Sequence, residues 1–117
     1  MPYLLDEIDS ATVYKRPKEA NFHCVDHWGI VVTNKSGSYL VHNMPETGTV
    51  ATPASNMSNN WKKVEELQVR PNKNIRGMFK SIGLTGAETK LPNGSIKYCA
   101  QYGCIVAKNR MKKYLTK

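Results

Sequence analysis

Cys99, His27 and His42 are the side chains whose types and spacing suit covalent chemistry. A thiol attacks as its thiolate, and it needs a base, commonly an imidazole, with a second polar group to orient that ring. Cys99 is predicted in the first turn of a helix running from about Tyr98 to Leu115. There the unpaired amides and the helix dipole favour a thiolate. Cys104 lies on the apolar stripe of the same helix and reads as a small buried hydrophobe. His23, next to Cys24, reads as incidental. Zinc is the other chemistry these residue types allow, since His23, Cys24, His27, His42 and Cys99 are all competent ligands and Cys24-x-x-His27 has a ligand-like interval. No second close pair accompanies that interval, so no metal and no cofactor is expected.

The histidines are positioned by a predicted β-hairpin. Trp28-Gly29-Ile30-Val31-Val32-Thr33 and Tyr39-Leu40-Val41-His42 flank Asn34-Lys35-Ser36-Gly37, which is turn chemistry. Alternation along the strand puts His27, Gly29 and Val31 on one face and Trp28, Ile30 and Val32 on the other. If Asn34 to Gly37 form the loop, Thr33 pairs with Ser38 and His42 falls opposite Gly29. His42 then shares a face with His27 at a diagonal spacing of roughly 7–8 Å, and Gly29 leaves room between the rings. A loop one residue longer would send the rings to opposite faces. Asp26, adjacent to His27, points to the opposite face of a strand.

The remaining elements are read from periodicity. Tyr3-Leu4-Leu5 and Ala11-Thr12-Val13-Tyr14 suit short strands, and Lys15 to Glu19 suits a turn around Pro17. Residues 43–60 are predicted as a long, polar, proline-punctuated loop, of the kind that is functional or mobile in compact domains. Trp61 to Val69 is predicted as a strand. Asn74 to Ile82 is predicted as a short helix closed by Gly83, and residues 84–95 as a loop. In the last helix Ala100, Cys104, Ala107, Met111 and Tyr114/Leu115 recur at intervals of 4, 3, 4 and 3–4 residues, the stripe of a helix packed on a core.

Length and composition bound the rest. A chain of 117 residues holds one core, so residues 1–117 form one α+β domain, an antiparallel sheet with packed helices. Hydrophobic residues make up 40% and charged residues 22%, as in a globular protein rather than a disordered one. Three cysteines are too few for a disulfide scaffold. The first residues meet acid too early for a secretory signal, and no apolar run reaches the roughly 20 residues of a membrane span. A cytoplasmic protein is therefore expected. The net charge of +8 attracts nucleic acid, acidic proteins or anionic headgroups, or simply keeps the protein soluble. Lys108, Arg110, Lys112 and Lys113 crowd the end of the last helix as a candidate polyanion site, with Lys62, Lys63, Arg70, Lys73, Arg76 and Lys80 as further cations.

Asp26-His27-Trp28-Gly29-Ile30-Val31-Val32, a turn, and Tyr39-Leu40-Val41-His42 resemble the H-box of the lecithin:retinol acyltransferase-like (LRAT-like) proteins. Tyr98-Cys99-Ala100-Gln101-Tyr102 stands where that family has its Asn-Cys motif opening a helix. The resemblance covers about residues 20–45 and 95–106. It implies a circularly permuted, NlpC-type papain-like fold in which the nucleophile's helix packs on the sheet that bears both histidines. It further implies Cys99 as nucleophile, His27 as base and His42 as orienting group, acting on an acyl-containing lipid or peptide through a thioester. The sequence departs from the motif at Tyr98, where the family has Asn, and it closes at Lys117 without a hydrophobic tail. Picornavirus H-box/NC proteins, some catalytically degenerate, are similar in size, so a basic RNA- or protein-binding module in a host cytoplasm is the alternative implied.

Overall fold

A computed structural model describes residues 2–16, 27–44, 48–82, 88–90, 96–98 and 104–117. Among these, seven strands form one antiparallel sheet: β1 (Ser10–Arg16), β2 (His27–Asn34), β3 (Gly37–Met44), β4 (Gly48–Pro53), β5 (Lys62–Leu67), β6 (Glu88–Lys90) and β7 (Ile96–Tyr98). Their spatial order is β5-β1-β2-β3-β4-β7-β6. Three helices accompany them: α1 (Pro2–Leu5), α2 (Ile75–Ser81) and α3 (Cys104–Thr116). The α+β class and the antiparallel sheet with packed helices stand.

The β2–β3 hairpin has the expected register, with Thr33 opposite Ser38 and Gly29 opposite His42. Its turn is built by Asn34, whose Oδ1 accepts from the Ser36 amide at 2.9 Å and whose Nδ2 donates to the Tyr3 carbonyl at 3.0 Å. Gly37 closes it at φ +141°, a conformation side chains rarely tolerate. Gly29 is held by close packing of the two strands. A Cβ there would lie 2.8 Å from Leu40 Cδ1 and 3.0 Å from the Cβ of His42.

One face of the sheet is covered by helices. Val13, Ile30, Val32, Val41 and Ala51 are buried there against Leu4, against Ile75, Met78 and Phe79 of α2, and against Ala107, Met111 and Leu115 of α3. The helix at residues 75–81 forms as the periodicity predicts. Asn74 caps it, its Oδ1 accepting from the Gly77 amide at 2.8 Å. The α3 stripe likewise buries Ala107, Met111 and Leu115. Gly83 and Ala100 lie outside the described residues.

Four expectations are corrected. Tyr3–Leu5 belongs to a helical turn rather than a strand: Pro2 suits a first helical position, and the turn seats Leu4 in the core. Residues 43–60 are not one loop, because Gly48–Pro53 forms β4, pairs with β3 and buries Val50 and Ala51. Within 84–95, Glu88–Lys90 forms an edge strand against β7. Ile96–Tyr98 is a strand paired with β4, so no helix begins at Tyr98. The described part of α3 starts at Cys104. At the opposite edge β5 presents Lys62, Lys63, Glu65 and Glu66, charges that discourage pairing with another sheet.

Candidate functional site

The histidines meet as the hairpin register requires. Across β2 and β3, His27 Nε2 and His42 Nδ1 lie 2.9 Å apart in a hydrogen bond, one ring donating and the other accepting according to tautomer. The rings are edge-on, 5.1 Å between centroids. Backbone pairing extends the site to β1, where Arg16 stands opposite His27. After β4 the chain makes a single 3₁₀ turn at Ala54–Asn56 and crosses the sheet to reach β5. That crossing brings Trp61 over the dyad, 5.3 Å from the His27 ring and 6.1 Å from that of His42. The Arg16 guanidinium lies 5.6 Å from the Trp61 ring. The result is a pocket of about 220 Å3 between strand residues Arg16, His27, Leu40, His42 and Thr52 and the crossing segment's Asn56, Met57, Ser58 and Trp61.

Both rings are held neutral. Burial, and secondarily the nearby Arg16 charge, lowers His27 to about 4. Burial, then the charges of His27 and Arg16, lowers His42 to about 3. Two tautomers satisfy the shared hydrogen bond. If His27 donates, its Nδ1 is left as a free lone pair and His42 carries its proton on Nε2. If His42 donates, the His27 proton sits on Nδ1 and His42 Nε2 is a bare acceptor. In either case His42 Nε2 is buried with no partner among the described residues. Such an atom costs roughly 1–3 kcal/mol when left unmatched. Only the first tautomer makes His27 a base. A base near 4 is weak, but an adjacent thiolate would raise it, since opposite charges favour each other's ionised forms.

The dyad is on the face that the helices do not cover. Trp28, Ile30 and Val32 point to the helix layer, and the Lys108 Nζ of α3 lies 4.4 Å from the Trp28 ring. His27 and His42 alternate with these residues and face away. The last helix packs on the sheet that bears both histidines, as expected, and it does so on the face opposite the rings. Cys104, which opens α3, belongs to that helix layer. Cys99 and Cys24 lie outside the described residues, Cys99 directly after Tyr98 of β7. Among the described residues no group of three or more His, Cys, Asp and Glu side chains is placed to hold a metal.

The four candidate polyanion residues separate. Lys108 lies over Trp28, and Lys112 pairs with Glu65 at 3.0 Å. Arg110 donates to the Ile82 carbonyl at 2.8 Å and lines, with Lys113, a recess between α2 and α3. Arg16 and Trp61 were not legible as site residues, because only the non-local pairing of β1 with β2 and the crossing from β4 to β5 bring them to the dyad. No helix among the described residues is long and apolar enough to cross a membrane.

Fold and site together define an α+β domain that displays a neutral histidine pair on the face of an antiparallel sheet opposite α1, α2 and α3. The chain belongs to the same family as uncharacterized protein R800 of Acanthamoeba polyphaga mimivirus, to which it is 32% identical over 117 residues, covering 97% of each chain. No family model and no solved structure matches it.

Proposed function

We propose that the chain is a thiol-dependent acyl hydrolase or acyltransferase of the H-box type, working on an ester, thioester or amide of a lipid or peptide. Cys99 is its nucleophile, His27 its base and His42 the group that orients His27. The observation that carries this reading is the 2.9 Å contact between His27 Nε2 and His42 Nδ1 at the wall of a pocket. A second ring hydrogen-bonded to the first fixes its orientation, as a triad's third member does.

In the proposed reaction His27 Nδ1 takes the thiol proton and Cys99 Sγ attacks the carbonyl carbon, forming a C–S bond. The leaving alcohol, thiol or amine departs with the proton held by His27. Water, for hydrolysis, or a second alcohol or amine, for transfer, then gives His27 its proton and breaks the thioester. Register supports the choice of thiol. Tyr98 pairs with Thr49, and Thr49 with Asn43, the neighbour of His42. Cys99 is thus tied by one peptide unit to a strand two places from the dyad. The alternating faces of a continued strand would turn the position after Tyr98 to the dyad's side.

The location of α3 on the other face favours a second reading. Without that helix's amides beneath His27, one source of oxyanion stabilisation is removed. The fold would then serve as a degenerate, non-catalytic module of viral type in a host cytoplasm, consistent with its viral relative. A thiol-reactive probe separates the two. Cys99 should label faster than Cys104 at neutral pH, and His27→Ala should slow Cys99 alone. Equal labelling of both cysteines, indifferent to His27, would overturn the enzymatic reading and leave the module.

A further inference from the structure

On the helix layer, across the sheet from the dyad, a recess of about 490 Å3 is lined by Lys73, Ser81, Arg110, Lys113, Tyr114 and Lys117. Its four cations come from three stretches of chain: the approach to α2, the middle of α3 and the end of α3. Among the described residues no Asp or Glu side chain lines it. The Lys35–Asp6, Lys63–Glu66 and Lys112–Glu65 pairs all lie outside the recess.

The walls are fixed by contacts that a merely solvated patch would not need. Arg110 is anchored on the Ile82 carbonyl at the end of α2. The Tyr114 hydroxyl accepts from the Asn74 amide at 3.2 Å, and its ring lies 4.5 Å from Lys73 Nζ. Tyr114 also passes so close to Gly77 that a Cβ there would overlap its hydroxyl. The Ser81 hydroxyl, in the wall of the recess, donates to the Met78 carbonyl at 2.6 Å.

We propose that this recess binds a compact oligophosphate, a small ligand carrying two or more phosphate groups close together. The volume falls in the roughly 300–1,000 Å3 of small-molecule sites. Three lysine ammonium groups and a guanidinium gathered in a recess lined by no Asp or Glu among the described residues suit a ligand of several negative charges. A polymer backbone would instead want a stripe of cations along its path. On α3 the spacing of 3 and 4 residues gathers Arg110, Lys113 and Lys117 on one side, while Lys108 and Lys112 share the other, committed to Trp28 and Glu65. The cations form a cluster, not a stripe.

Calorimetric titration of the full chain with inorganic tripolyphosphate at low salt tests the assignment, with Lys113→Gln/Lys117→Gln as the test variant and Lys112→Gln as the control. The parent should bind, the double variant should weaken about tenfold, and the control should stay within about twofold, as expected for partly exposed charge contacts. The exposed positions of Lys113 and Lys117 leave the core untouched, and matching thermal melts confirm it. No binding by the parent, or equal affinity in the double variant, overturns the proposal. So does affinity for single-stranded RNA or for anionic vesicles that tripolyphosphate fails to displace, because the site would then belong to a polymer or a membrane surface.

Discussion

Acidification should destabilise this protein through its histidine pair before most carboxylates titrate. In the folded chain His27 sits near 4 and His42 near 3, whereas an unfolded histidine titrates near 6.5. The unfolded state therefore binds protons that the folded state refuses. The stabilising difference is whole above about pH 6.5 and is lost as pH falls toward 4. At pH 5 each unfolded histidine gains about 2 kcal/mol from protonation, almost regardless of how far below 5 the folded value lies. His42 is buried and should contribute nearly all of that; His27 is half-buried, and screening reduces its share to about 1 kcal/mol. The sum, about 3 kcal/mol between pH 8 and pH 5, is a large part of a typical domain's stability. Urea midpoints at the two pH values measure it, and with a slope of about 1.5 kcal/mol per molar the midpoint should fall by about 2 M. His27→Gln/His42→Gln should abolish most of this difference whatever its stability at pH 8. Should the double variant fold too poorly to measure, His27→Gln alone should remove about 1 kcal/mol of the difference. An unmodified chain whose midpoint shifts no more than the variant's would show that the rings are solvated, and the desolvation argument would fail.

Gly29→Ala should destabilise the fold by about 1–3 kcal/mol and disturb the dyad, because the added methyl meets Leu40, His42 and the Val41 carbonyl; thermal melts and histidine NMR shifts read the two effects. Trp61→Ala should let water reach the dyad and raise the NMR-measured titration of His27 from about 4 toward 6.5, and an unchanged value would show that Trp61 contributes nothing to its desolvation. Asn74→Ala should cost about 1 kcal/mol by removing the α2 cap, with Asn74→Ser recovering most of it in urea unfolding.

The local parts of the structure were legible in the sequence. Asn34-Lys35-Ser36-Gly37 sets the turn, the turn sets the register, and the register places His42 beside His27 across Gly29. Asn74 followed by Ile75, Met78 and Phe79 likewise specifies a capped amphipathic helix without reference to anything distant. β4 was hidden because Pro45 and Pro53 bracket it, and because its partner at 96–98 lies more than forty residues away. The side on which the helices would pack was also readable. Trp28, Ile30 and Val32 offer far more apolar surface than His27, Gly29 and Val31, and burial favours covering the larger apolar face. The family resemblance implied a helix on this sheet without saying which face it covers. Arg16 and Trp61 reach the dyad only through strand order and the crossing segment, which no local pattern encodes.

The two faces of the sheet differ in more than their residues. On the helix side, side chains from α1, α2 and α3 interlock with the strands, and a change of shape there is felt throughout the core. On the other side the dyad is fixed by paired strands β2 and β3, and among the described residues its cover comes from one segment, residues 54–61, which carries Trp61. Rigid groups under a thin cover are the arrangement in which a site can change what it admits without loss of fold. The large charges obey the same division: Arg16 stands beside the dyad, while Arg110 and Lys113 of α3, and Lys117 just after it, lie beyond the sheet. A ligand that neutralised the α3 cluster would leave the histidines' surroundings nearly unaltered, because the burial and the Arg16 charge that lower them come from their own side. The sheet thus holds two chemically distinct surfaces at a separation that lets each be altered, and assayed, without the other.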